Sequence, residues 1–332
     1  MGTPASSLVM ATMPETSDDA IAPGLREALP AIPNFDTLTL ATLDSFRTAL
    51  KGGPIDLEGD KDVAVEMIVA VGRDGHTVPC ILHRPRVLVG RVPIILNIHG
   101  GGFVVGDAAR EAPAMSELAT ATGCAILSVD YRLAPETPFP GALDDCTAAL
   151  HWLIDNADAL RIDRNRIAIR GVSAGGGLAA ALMLRCLPTL DVSPRLLMLI
   201  YPMLDYRATP PDRVGQHVWT RRANQFGWQA YLGDSTEHVL PEASPGLAQD
   251  LTGFPPTFLA VGDIDLFLEE NLNFASLLAR SQVGLEMHVY PGGYHGFNLV
   301  PGAAISEAFA RDCKAAIVLA LSQEAPSPMP QD

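Results

Sequence analysis

The chain has 332 residues, 48% of them hydrophobic and 18% charged, with a formal net charge of −15 and a mean hydropathy of +0.19. Such a composition describes a globular protein able to bury a large core and excludes a disordered chain. The acidic balance, with no local lysine or arginine cluster to offset it, argues against nucleic acid or an anionic membrane as a partner, since both need a basic footprint.

The amino terminus lacks a basic start followed by an apolar core, so no secretory signal is read there. No stretch approaches the roughly 18 apolar residues of a membrane span. Residues 1–22 look disordered, and short helical patterns follow at 35–50. From residue 62 the pattern changes. Segments 62–71 and 77–83 read as an antiparallel pair around a turn at 72–75. Apolar runs then recur at 92–98, 125–129, 167–169, 196–200, 257–261 and 285–290. Between them lie helical patterns at 112–122, 143–156, 176–187, 268–281 and 303–322. Continuous apolar strands alternating with helices predict an α/β fold, a mostly parallel sheet covered on both faces. Residues 205–251 break the alternation with prolines, scattered charge and the aromatics Trp219, Phe226, Trp228 and Tyr231. That segment reads as a helical insertion over the carboxyl edge of the sheet, where open α/β proteins bind ligands. The last ten residues, 323–332, read as a disordered tail.

The five cysteines (Cys80, Cys124, Cys146, Cys186 and Cys313) show no CxxC pairing. They are expected to be buried, reduced thiols of a cytoplasmic protein, with neither a disulfide framework nor a zinc site.

Three loops carry chemistry. Asn97-Ile98-His99-Gly100-Gly101-Gly102-Phe103 follows a strand directly, and its three successive glycines leave backbone amides free to face an anion. Neither phosphate-loop spacing is present there, so nucleotide binding is set aside. His99 is expected to brace this loop rather than carry protons. Next, Gly171-Val172-Ser173-Ala174-Gly175 breaks an apolar strand before an Ala/Leu-rich helix. Glycines on both sides of a serine permit the sharp turn that lifts a nucleophilic hydroxyl off a sheet edge. A serine hydroxyl needs a base, itself held by a carboxylate. Of the eight histidines only His295, in Pro291-Gly292-Gly293-Tyr294-His295-Gly296-Phe297, sits on a glycine-flanked loop after a late strand. His288, inside that strand, reads as structural. For the acid, Asp263 and Asp265 both lie on the loop after the preceding strand, and spacing leaves the two open. Glu269 and Glu270 are expected to be exposed in the first turn of the next helix, favourable at that end of its dipole.

Together His99-Gly100-Gly101-Gly102, Asp130-Tyr131-Arg132-Leu133-Ala134-Pro135-Glu136, the Ser173 turn, Asp265 with its downstream glutamates, and His295-Gly296-Phe297 resemble the bacterial branch of the hormone-sensitive-lipase family of α/β-hydrolase carboxylesterases. The resemblance runs from about residue 60 to residue 320. It implies an α/β-hydrolase fold with a helical cap. A catalytic domain would span 55–204 and 252–322, with segments 1–54 and 205–251 as the cap. It implies Ser173 as nucleophile, Asp265 as acid and His295 as base, with the amides of Gly101, Gly102 and Ala174 as oxyanion donors. Asp130 to Glu136, with Pro140 and Asp145, would form a structural brace. The implied activity is hydrolysis of short-chain carboxylic esters, small-molecule substrates, with no metal or organic cofactor and with homodimerisation through sheet edges left open. Two rivals remain: an amidase, arylformamidase or lactonase of the same fold, and a non-catalytic binder like the plant gibberellin receptors that resemble this family. Two departures stand out. Val172 occupies the position before the serine where aspartate or threonine is common, and Phe267 stands where leucine is usual.

Overall fold

An apolar hairpin opens the sheet. Val63–Val71 (β1) and Thr77–Pro85 (β2) pair antiparallel in register from Val63↔Pro85 to Val71↔Thr77, in a computed structural model that describes residues 20–57, 61–87, 90–233 and 238–322. The remaining strands are Val92–Ile98 (β3), Ala125–Val129 (β4), Ile162–Val172 (β5), Leu196–Ile200 (β6), Thr257–Gly262 (β7) and Leu285–Tyr290 (β8). They complete an eight-stranded sheet in the order β1-β2-β4-β3-β5-β6-β7-β8. The β2–β4 pairing is antiparallel, and every pairing from β4 through β3 to β8 is parallel. Strands β4, β6 and β7 are buried along their whole length, as their unbroken apolar sequences require of strands covered on both faces.

The helices are Leu43–Leu50 (α1), Ala108–Thr122 (α2), Gly141–Asp155 (α3), Ala174–Cys186 (α4), Arg221–Leu232 (α5), Leu268–Arg280 (α6) and Ala304–Ser322 (α7). Helices α2 and α7 pack together, as do α3 and α4. Among the described residues no helix is long and apolar enough to cross a membrane.

The structure moves several boundaries. The pattern at 35–50 is not one helix: a 3-10 turn at Phe35–Thr37 is separated from α1 by a bend. The Thr42 hydroxyl stabilises that bend, accepting from the Thr39 amide at 2.9 Å and donating to the Thr37 carbonyl at 2.6 Å. Helix α2 starts four residues before the expected 112, because Asp107 caps it by accepting from the Arg110 amide. Strand β5 is longer than its apolar run at 167–169, reaching back to Ile162 opposite Val92. The disorder expected for 1–22 and 323–332 falls outside the described residues except at 20–22. There Ile21 is buried, and the Ala22 amide donates to the Gly292 carbonyl at 3.0 Å. All five cysteines are free and buried, and burial pushes every thiol up, those of Cys80 and Cys313 to about 12.

Candidate active site

Strand β5 ends at Val172, and Ser173 turns the chain into α4 with φ 56° and ψ −120°. That conformation is strained for a residue with a β-carbon, and the surroundings enforce it. The Ser173 amide donates to Ile200 of β6 at 2.9 Å, and its carbonyl accepts from Gly176, Gly177 and Met203. The flanking glycines are sterically obligatory. A methyl group on Gly171 would lie 2.2 Å from the Gly175 carbonyl oxygen, and one on Gly175 would lie 2.2 Å from that of Ile98.

The glycine loop leaves β3 beside this turn. A methyl group on Gly100 would come within 3.3 Å of the Ser173 Cβ. Gly101 and Gly102 hold positive φ angles of 126° and 58°. The Gly101 carbonyl closes the loop by accepting from Val104 and Val105. His99 braces it, stacked on Tyr131 with ring centroids 4.1 Å apart and with Nδ1 2.8 Å from the Gly100 carbonyl. Among the described residues the amides of Gly101, Gly102 and Ala174 donate no hydrogen bond, so all three are free for a ligand oxygen. For Ala174, the first residue of α4, this follows from helix geometry.

The late strands supply the other two side chains. His295 Nε2 lies 2.9 Å from Ser173 Oγ, and its Nδ1 lies 2.9 Å from Asp265 Oδ2. A carboxylate that is ionised can only accept, an arrangement in which Nδ1 donates to it and Nε2 is left to accept from the hydroxyl. Asp265 is fully buried, and its other oxygen accepts from the Phe267 amide at 2.9 Å. The two loops touch backbone to backbone: a methyl group on Gly262 would lie 1.9 Å from the Gly293 carbonyl oxygen. Asp263 is oriented differently. Its Oδ1 accepts from the Gly292 amide at 2.6 Å, at the start of the histidine loop.

Residues 95–299 match a family described as having the alpha/beta hydrolase fold. The chain belongs to that family. More narrowly, it belongs to the bacterial hormone-sensitive-lipase branch and is a carboxylic ester hydrolase. It is 31% identical over 259 residues to an ethyl acetate hydrolase of Pseudomonas putida, covering 76% of this chain and 80% of that protein. To carboxylesterase NlhH of Mycobacterium tuberculosis it is 30% identical, covering 84% and 95%. Among solved structures it superposes on a bacterial heroin esterase with TM-score 0.83 and 37% identity, covering 92% of this chain and 99% of that one. Esterase LipW of Mycobacterium marinum gives TM-score 0.80 and 30% identity, covering 94% and 99%.

In this hydrolase the Asp130–Glu136 segment braces the site through specific contacts. Asp130 accepts from the Ala108 amide, the Tyr131 hydroxyl donates to the His99 carbonyl, and Arg132 clasps buried Asp145. Glu136 pairs with Arg47 of α1 through two bonds of 2.7 Å. His288, on β8, contacts Glu286 at 2.8 Å.

One expectation is corrected. Glu269 is exposed, but Glu270 is buried, and burial holds its carboxyl well above the ordinary value. Its Oε1 accepts from the Leu204 amide at 2.7 Å, next to Asn271, which donates to the Pro202 carbonyl. The segment after β6 crosses the start of α6 and covers the face that helix-dipole reasoning assigned to solvent.

Sequence reading also missed Tyr201. It follows β6 with φ 35°, and its ring meets the His295 ring edge-on at 4.5 Å while its hydroxyl donates to Asn298 Oδ1 at 2.6 Å. The available signal was a large polar aromatic beside Pro202 at a strand end. Phe267, noted only as a departure, packs its ring at 88° against His295 with centroids 5.1 Å apart.

Proposed function

We propose that this enzyme hydrolyses short-chain carboxylic esters through an acyl-enzyme, with Ser173 as nucleophile, His295 as general base and acid, and Asp265 as the carboxylate that orients it. The observation that carries this reading is the hydrogen-bonded line Ser173–His295–Asp265, both links 2.9 Å, beside three uncommitted amides. His295 Nε2 takes the Ser173 proton as Oγ attacks the ester carbonyl carbon. Asp265 fixes the imidazole tautomer and favours the imidazolium that forms. Negative charge building on the carbonyl oxygen is met by the amides of Gly101, Gly102 and Ala174, each such donor contributing about 3–4 kcal/mol. Imidazolium returns its proton to the departing alkoxide. Water, deprotonated by His295, then attacks the acyl carbon, and the acid leaves as Ser173 recovers its proton.

A small substrate fits the confined surroundings: Ser173 and His295 are only 4% and 7% exposed. Residues 20–54, 205–233 and 238–251 act as the cap in this reading, while residues 1–19 and 234–237 of the two expected cap segments lie outside the described residues. Five buried free thiols agree with a cytoplasmic setting. Strands β1 and β8 form the edges of the sheet, and homodimerisation through a sheet edge belongs to this reading, measurable by light scattering after gel filtration.

The test is Ser173→Ala, assayed on aryl acetates with circular dichroism as the fold control. Turnover is expected to fall by about 10⁵–10⁶-fold, the scale seen when a triad nucleophile is removed. Near-normal hydrolysis by a folded Ser173→Ala protein would end the proposal.

A further inference from the structure

We infer that the Trp219 indole is the wall that limits acyl-chain length at Ser173. The inference rests on the ester-hydrolysis reading above and assigns its specificity to one side chain.

The indole occupies space that two glycines leave open. A methyl group on Gly102 would lie 2.1 Å from Trp219 Cη2 and 2.3 Å from Cζ2. One on Gly227 of α5 would lie 3.4 Å from Cζ2, 2.8 Å from the Gly102 carbonyl oxygen and 3.6 Å from Met203 Cε. The six-membered edge of the indole therefore lies against the glycine loop at Gly102 and beside Gly227. Trp219 is held there from several sides. Val218 adopts φ 60°, a costly angle for a β-branched residue, which turns the next side chain inward. The indole Nε1 donates to Asn224 Oδ1 at 3.4 Å, and the Phe35 ring packs against it, tilted at 59° with centroids 5.6 Å apart. Thr220, which caps α5, also donates through its hydroxyl to Asp36. The indole is 3% exposed.

Tetrahedral geometry decides which part of the substrate meets it. Of the four groups on the reacting carbon, one is Ser173 Oγ and one is the oxyanion, directed at the Gly101, Gly102 and Ala174 amides. The leaving oxygen must reach His295 Nε2 to collect its proton. The acyl substituent takes the remaining direction, away from His295 and past Gly102. Trp219 packs on Gly102, past which the acyl substituent is directed, and its ring also neighbours that of His295, with centroids 6.4 Å apart. The indole therefore bounds the acyl side, leaving room for acetyl-sized groups and blocking longer chains.

The test is kcat/KM for p-nitrophenyl acetate, butyrate, hexanoate and octanoate with wild type, Trp219→Phe and Trp219→Ala. A parallel series varies the alcohol on a fixed acetyl group. The octanoate-to-acetate ratio is expected to rise by about tenfold or more in Trp219→Ala, and by less in Trp219→Phe, on the scale of one or two methylenes in an apolar pocket. The alcohol series should keep its order in all three proteins. Should the alanine variant not fold, Trp219→Phe, together with wild-type labelling rates by methyl- and hexylphosphonates, reads the same wall. An unchanged acyl ratio, a wild type that prefers octanoate, or a change confined to the alcohol series overturns the inference. Acetate hydrolysis that survives in a folded Ser173→Ala protein instead overturns the underlying ester reading, whatever the Trp219 variants do.

Discussion

Asp263 holds the amide of Gly292 at 2.6 Å, tying the acid loop to the second residue of the histidine loop. Its neighbour Asp265, two positions on, reaches the His295 imidazole instead. Two carboxylates on one loop thus have separate tasks, one bracing backbone and one facing the ring. Asp265→Asn is expected to lower kcat by about 10³–10⁴-fold, because the amide no longer favours the required tautomer or the imidazolium. Asp263→Asn keeps an oxygen acceptor for Gly292 and should retain kcat within about tenfold. Steady-state kinetics on an aryl acetate separates the two, and a harmless Asp265→Asn would move the acid role elsewhere.

Arg47 ties the amino-terminal segment to the glycine loop. Its Nε donates to the Val104 carbonyl and its Nη2 to the Ala134 carbonyl, both at 2.9 Å, while Glu136 accepts two bonds. Val104 and Ala134 are buried, so Arg47→Met strands two carbonyls and should cost about 1–3 kcal/mol. Glu136→Gln should cost well under that, since the carboxylate is 62% exposed and solvent screens the pair. Urea denaturation midpoints measure both. Equal losses would mean that the ion pair, rather than the carbonyl contacts, holds the segment.

His83 sets part of the acid limit of stability. It is fully buried on β2 with neither ring nitrogen hydrogen-bonded among the described residues, and burial lowers its pKa from 6.5 to about 4. The unfolded chain binds this proton near pH 6.5, whereas the fold resists it until about pH 4. The contribution is therefore complete above pH 6.5 and is lost as pH falls toward 4, by roughly 3 kcal/mol across the window. His83→Leu should show a shallower decline of Tm between pH 7 and pH 4.5 than wild type. Parallel slopes would assign the acid sensitivity to other groups.

The sequence by itself determined the strand–helix alternation, the three loops and the residues on them. Those loops need glycines at positions where a β-carbon would strike backbone, as at Gly171, Gly175 and Gly262, and such steric demands are visible in one dimension. Only the tertiary structure decided between Asp263 and Asp265 as the partner of the imidazole, because both carboxylates share a loop and only their directions differ. It also decided that Glu270 is buried, that Tyr201 backs His295, and that Trp219 lies on Gly102. Each of these depends on segments far apart in the chain being packed together. Local propensity and spacing carry no record of which distant surface will cover a residue.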